Sequence, residues 1–309
     1  MHMQSFMRLE KAIKSGFQER ALSILRAEEH YFSKKELQKV YKCAESNAAI
    51  LKYLLELSPV RDTIDVAAND NRIIRRASEN GHKEVVKLLL DRGSFNSHID
   101  PSVGDNCAIR MASENGHVQV VKLLLDYAPH YSIDPAADDN YAIRYASYYG
   151  HTEIVKILLA CDARYKIDPS AENNFAIAYA NSGKRHERSH GRSHEKEVKI
   201  LLKHDSRYRG IDPSAERNVL IIRLSAICNI EMIKILLTHD DVDPTTNYGE
   251  VLHFATMFKK MEKMAIFWLA DPRLRAKRMP KRIFDAYENT DYRKREWNKN
   301  NSFCLYSAL

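Results

Sequence analysis

The sequence has no long apolar run, no close pair of cysteines and no glycine-rich phosphate loop, and each gap removes a class of function. Its opening stretch, MRLEKAIKSGFQERALSIL, alternates charge with apolar residues instead of forming the continuous segment that a signal peptide or membrane span needs. The chain therefore reads as soluble. Cys43, Cys107, Cys161, Cys228 and Cys304 are odd in number and widely scattered, which fits a reducing compartment and excludes paired-cysteine metal spacing. Neither His-Glu-x-x-His nor a nucleophile elbow occurs, and the acidic residues follow repeat position instead of gathering. The expectation is a non-enzyme with no cofactor and no bound metal. Basic residues outnumber acidic ones by 48 to 41, an excess that permits acidic partners without requiring them. At 309 residues the chain outgrows one compact core, so it needs either two domains or an elongated repeat array.

What is present is self-similarity. IDPAADDNYAIRYASYYGHTEIVKILLACDARYK (133–166) is echoed upstream at 99–132 and 64–98. It is echoed downstream at 167–210, at 211–241 and, more weakly, at 242–275. Each unit has a physical parse. Asp134-Pro135 suits a type I turn. Ala142, Ile143 and Ala146 then fall at helical spacing, with Asn140 available as N-cap. Gly150 permits a turn with positive φ, and a second helix would bury Ile154, Val155, Leu158 and Leu159. Helices this short are marginal alone in water, so every hairpin must stack on its neighbours.

The units resemble ankyrin repeats. The resemblance rests on Gly81-His82, Gly116-His117 and Gly150-His151, on second helices worded EVVKLLL, and on VLHFA at 251–255. It implies an all-α solenoid of stacked helix-turn-helix units with short connections, about eight including degenerate caps, on the order of 80 Å long. Residues 1–63 would hold two degenerate repeats and a cap, 64–275 the array, and 276–309 a C-terminal helical cap. The wording departs from the family where Arg75, Arg110 and Arg144 replace its histidine. That column is expected to link neighbouring units, with a grip on an acidic partner as the alternative.

Tyr141, Tyr145 and Tyr148 share a helical face, and Tyr149 follows. The resemblance makes Tyr145 a core residue. It sets Tyr148 and Tyr149 toward a concave groove with Glu79, Asn80, Glu114 and Asn115, so these residues and Tyr141 are candidate partner contacts. Phe95, Tyr131, Tyr165 and Tyr208 form a second recurrent set that suggests packing between hairpins, with Arg207 and Tyr208 also candidate contacts on a basic rim.

The repeat 167–210 carries ten extra residues, 184–193, within KRHERSHGRSHEKE. They read as a solvated loop between helices. If the stretch were helical, His186, His190 and His194 would share a face and two could ligate zinc, but eight helical residues hold His186 and His194 about 12 Å apart, too far for a third to join. Basic patches are Arg185, Arg188 and Arg192 in this insert, and Arg273, Arg275, Lys277, Arg278, Lys281 and Arg282 in PRLRAKRMPKR.

The leading expectation is a non-catalytic scaffold that binds a protein through its groove and hairpin tips. The repeat wording is similar to that of arrays from intracellular bacteria and large DNA viruses, which implies an effector acting on a host protein in the host cytoplasm or nucleus. The alternative is a binder of nucleic acid or an anionic surface through 184–209 and 272–282, with salt-sensitive affinity.

Overall fold

The structure is a computed structural model that describes residues 2–57, 65–93, 99–180, 192–204, 214–226, 229–238, 242 and 268. Two compact units divide the chain, Met1–Asp168 and Pro169–Leu309. The first holds α1 (His2–Lys14), α2 (Gln18–Glu28), α3 (Lys34–Cys43), α4 (Ala48–Lys52), α5 (Ala68–Glu79) and α6 (Lys83–Gly93). It continues with α7 (Val103–Glu114), α8 (Val118–Tyr127), α9 (Ala137–Tyr149), α10 (Thr152–Ala160) and α11 (Asp162–Tyr165). The second holds α12 (Ala171–Ala178), α13 (Arg192–His204), α14 (Ala215–Ala226) and α15 (Ile230–Leu236). Among the described residues there is no strand, and the architecture is all-α, built of helix-turn-helix repeats. No described helix is long and apolar enough to cross a membrane.

In the first unit, first helices stack as α5 on α7 on α9 while second helices stack as α4, α6, α8 and α10. Ile73, Ile74 and Ala77 on α5, Ala108, Ile109 and Ala112 on α7, and Ala142, Ile143 and Ala146 on α9 are all buried, as are Ile154, Val155, Leu158 and Leu159 on α10. Each large aliphatic side chain so buried contributes about 1.5–3 kcal/mol, which offsets the weakness of the short helices. The N-terminal segment also forms hairpins, α1 packing on α2 and α3, and α2 on α4. Tyr131 donates from its hydroxyl to Leu90 O at 2.8 Å, the packing role expected of its column. Phe95 and Tyr208 lie outside the described residues. In the second unit α12 packs on α14, where Trp268 is fully buried and its indole donates to Ser225 Oγ at 3.1 Å.

The Asp-Pro opening is a turn of the expected kind. Asp65, Asp100 and Asp134 each accept, through Oδ1, the amide of the residue two positions on, at 3.1, 2.8 and 2.9 Å. The third turn residue lies near φ −90°, ψ 0°, for instance Ala136 at −88°, −1°.

The backbone just after this turn departs from the N-cap expected there. Asn69–Asn71, Gly104–Asn106, Asp138–Asn140 and Glu172–Asn174 are runs of three consecutive left-handed residues. Each run closes a left-handed turn, as where Asn140 N–H donates to Ala136 O at 2.9 Å. Only then does the right-handed helix begin. Asn140 is therefore not an N-cap, which needs extended backbone. Its φ is +61°, and its Oδ1 accepts the Asp168 amide at 2.8 Å. Asn71 and Asn106 hold the Asp100 and Asp134 amides in the same way, at 3.0 and 2.8 Å.

The arginine column serves these turns, a second correction. Arg75 donates to Asp70 O and Asn69 O at 2.8 and 3.1 Å, and Arg144 to Asp139 O and Asp138 O at 2.8 and 3.0 Å. Arg110 donates to Asp105 O and Gly104 O at 2.7 and 3.0 Å, and also pairs with Asp138 of the next repeat. The guanidinium fork suits two carbonyls of one turn, so the column acts chiefly within units. Ala178 occupies this register above the left-handed run Glu172–Asn174, so the turn forms without an arginine. The arginine tightens the turn instead of creating it. We expect Arg110→Ala to lower stability by about 2–3 kcal/mol and Arg75→Ala by about 1–2 kcal/mol. Urea unfolding checks the order, and equal costs would show that the Asp138 pair contributes nothing.

Candidate partner-binding face

The buried positions of α5, α7 and α9 leave a second stripe facing outward at i, i+4, i+7 spacing. It runs Arg72, Arg76, Glu79 on α5, Cys107, Met111, Glu114 on α7, and Tyr141, Tyr145, Tyr148 on α9. None of these nine residues is buried.

The helix ends on this stripe are fixed by the Gly-His pair. Gly81, Gly116 and Gly150 have φ of +77°, +81° and +78°. Each lets the following histidine amide reach back to the helix, as where His151 N–H donates to Ala146 O at 2.8 Å. The imidazole then ties repeats together. His117 Nε2 lies 2.9 Å from Glu79 O, and His151 Nε2 lies 2.9 Å from Glu114 O, so each ring donates to a carbonyl of the preceding first helix.

On α9 the tyrosines form a chain of ring contacts. Tyr141 stacks on Tyr145 with centroids 4.1 Å apart and planes at 18°, Tyr145 meets Tyr148 edge-on at 6.0 Å, and Tyr148 meets Tyr149 at 4.9 Å. Arg110 lies 4.9 Å over the Tyr141 ring and Arg144 lies 5.8 Å over Tyr145. The Tyr141 hydroxyl donates to Glu114 Oε2 at 2.6 Å. Burial, together with that hydrogen bond, pushes the Tyr141 phenol above its ordinary range, and burial also raises that of Tyr149. Both remain hydroxyl donors at neutral pH.

The expected contacts Glu79, Asn80, Glu114, Asn115, Tyr141, Tyr148 and Tyr149 thus come together, each with some of its capacity in use. Asn80 and Asn115 donate their side-chain amides to Arg76 O and Met111 O, both at 2.9 Å, closing their own helices. Glu79 pairs with Arg76 at 2.9 Å. Tyr145 is half-buried and belongs to the tyrosine chain, not to the core as the family alignment implied, because it shares the outward stripe with Tyr141. Arg207, Tyr208, Arg185, Arg188, Arg273, Arg275, Lys277, Arg278, Lys281 and Arg282 lie outside the described residues. Arg192 opens α13, so the helix begins two residues inside the insert marked out by sequence.

Sequence reasoning missed Arg72, Arg76, Cys107 and Met111, whose signal was repeat register: they align with Tyr141 and Tyr145. It also missed an open cavity of about 600 Å³ lined by Lys14, Lys42, Cys43, Glu45, Asn69 and Arg72. Burial pushes the Cys43 and Cys161 thiols up, the opposite of what a nucleophilic thiolate needs. Among the described residues no group of three or more His, Cys, Asp and Glu is placed to hold a metal ion.

Residues 77–173 match a family model described as ankyrin repeats, in three copies. No curated protein matches the chain.

Proposed function

Because the chain is an ankyrin-repeat protein, and such repeats are generally protein–protein interaction modules, we propose that it is a non-catalytic scaffold that holds a protein partner on the outward stripe of its first helices. The observation that carries this reading is the tyrosine chain on α9. Four large amphipathic rings lie on or beside one stripe, pre-organised by one another, by two guanidinium groups and by Glu114. Rings held in place before binding lose little entropy on contact, the property that makes tyrosine frequent at hot spots. The narrower expectation, an effector acting on a host protein, belongs to the same reading and rests on the repeat wording.

Tyr148 and Tyr149 form the end of the ring chain farthest from the Glu114 bond, so both can change without releasing Tyr141. We expect Tyr148→Ala/Tyr149→Ala to weaken a captured partner at least about 30-fold, from roughly 1 kcal/mol or more per ring. Affinity capture from eukaryotic and bacterial lysates, quantified by mass spectrometry, makes the comparison, with helical content monitored by circular dichroism. Equal recovery by a folded double variant would remove the tyrosines from the interface.

A further inference from the structure

The outward stripe is aromatic on α9 and carries Arg72 and Arg76 on α5, where lysines from α1 and α3 come beside it. Some cations on these helices are paired: Lys39 with Glu10 at 2.9 Å, and Arg76 with Glu79 at 2.9 Å. Three others converge on the cavity of about 600 Å³, where Lys14 from the end of α1, Lys42 from α3 and Arg72 from α5 meet. Lys14 and Lys42 are exposed and have no carboxylate partner among the described residues. Arg72 lies 3.6 Å from Glu45 Oε2, with the two side chains 49% and 24% exposed, so one carboxylate faces three cations and holds the guanidinium at the cavity wall. Cys43 completes the wall as a neutral thiol, since burial raises its pKa, and it subtracts nothing from the positive field.

We propose that this cavity is an anion subsite that receives a phosphate or carboxylate side chain on an extended segment of the partner. Two ammonium groups and a pre-set guanidinium from the first helices α1, α3 and α5 match the several acceptor oxygens of such a group. The cavity is open and larger than an isolated carboxylate or phosphate, so it has room for an anion carried on a chain that continues along the stripe. The cations come from α1, α3 and α5, so the anion sits about level with α3, three first-helix steps of about 8–10 Å from α9, and an extended peptide advances about 3.3 Å per residue. The partner's anionic residue therefore lies about seven to nine positions from the apolar residue that rests on Tyr145 and Tyr148. This extends the scaffold reading but does not need the tyrosines for the anion itself.

The test uses the full chain and three fluorescein-labelled peptides identical except for phosphoserine, glutamate or serine placed about eight residues from a leucine. Fluorescence anisotropy should show the phosphoserine and glutamate peptides binding at least about tenfold tighter than the serine peptide. Lys14→Glu/Lys42→Glu should erase that preference, and the milder Lys14→Gln/Lys42→Gln should reduce it. Lys87→Glu/Lys156→Glu, which makes the same charge change at exposed lysines on second helices, should leave it within about twofold. Equal binding of the three peptides, or equal loss in both charge-reversal variants, would overturn the subsite. Tyr148→Ala/Tyr149→Ala separates the two proposals. If it weakens all three peptides while their ratio survives, the subsite stands by itself; if the ratio is absent while tyrosine dependence persists, only the scaffold reading stands.

Discussion

Gly116→Ala should lower the stability of the chain by about 2–5 kcal/mol, a large effect for a single added methyl group. Two separate causes combine. Gly116 has a φ of +81°, where a side chain costs about 1–2 kcal/mol. The added Cβ would also lie 2.5 Å from Cε1 and 2.7 Å from Nδ1 of His151, distances at which one group must move. Neither is the far end of a flexible chain, because the imidazole is held by its 2.9 Å bond to Glu114 O. Driving the ring away leaves that carbonyl without its partner, at a further cost of about 1–3 kcal/mol.

The two causes can be taken apart. Gly16 has a φ of +74° but nothing within 4 Å of its would-be Cβ, so Gly16→Ala should show the backbone cost alone, about 1–2 kcal/mol. Gly81, whose Cβ would meet His117 at 2.4 Å, should behave like Gly116. A double-mutant cycle completes the test: once His151 is alanine the ring is gone, and Gly116→Ala should then cost about as little as Gly16→Ala. Urea unfolding followed by circular dichroism measures all of these. Additive costs in the cycle would mean that the glycine and the histidine do not compete for the same space.

These particulars show why some of the structure was legible in the sequence and some was not. The apolar stripes of α5 to α10 were legible because burial demands the same residue types at the same spacing in every unit. The Gly-His pair was legible as wording, and the structure adds its reason, a close approach between a glycine of one repeat and an imidazole of the next. The left-handed turns were misread because an asparagine just before an apolar run has the same signature whether it caps a helix or occupies left-handed backbone. The distinguishing sign was the run itself: Asn-Asp-Asn, Gly-Asp-Asn and Asp-Asp-Asn are three successive residues tolerant of positive φ, where a cap needs one. The arginine column was assigned between units because the family places a linking residue there. Its actual partners are carbonyls five and six positions back, invisible until the turn is known. The anion cavity was hidden for a different reason, since Lys14, Lys42 and Arg72 come from three units with little wording in common.

Asn140→Ala should cost about 2–4 kcal/mol, and its companions at the same position decide why. Asn140 is 9% exposed, holds a φ of +61°, and accepts the Asp168 amide at 2.8 Å. Alanine loses on both counts: it tolerates the left-handed region poorly, and it leaves a donor of the Ile167–Asp168 segment without its acceptor. Glycine keeps the backbone and loses only the bond, whereas aspartate keeps an acceptor oxygen and a tolerance for positive φ. The expected order of stability is therefore asparagine, then aspartate, then glycine, then alanine, with the last two separated by about 1 kcal/mol. Urea midpoints give the order directly. Glycine as damaging as alanine would mean that the left-handed conformation is not under stress, and alanine as benign as aspartate would mean that the bond to Asp168 is not formed in solution. The consequence reaches the partner face, because α9 is tied at both ends. At its start Asn140 and Arg144 hold the left-handed turn and Tyr141 is bonded to Glu114 Oε2, and just past its close His151 is bonded to Glu114 O. Loosening the first tie lets the helix that carries Tyr141, Tyr145 and Tyr148 shift about the second. A folded Asn140→Ala chain should accordingly bind its partner more weakly while every tyrosine is still in place, a loss that comes from position alone.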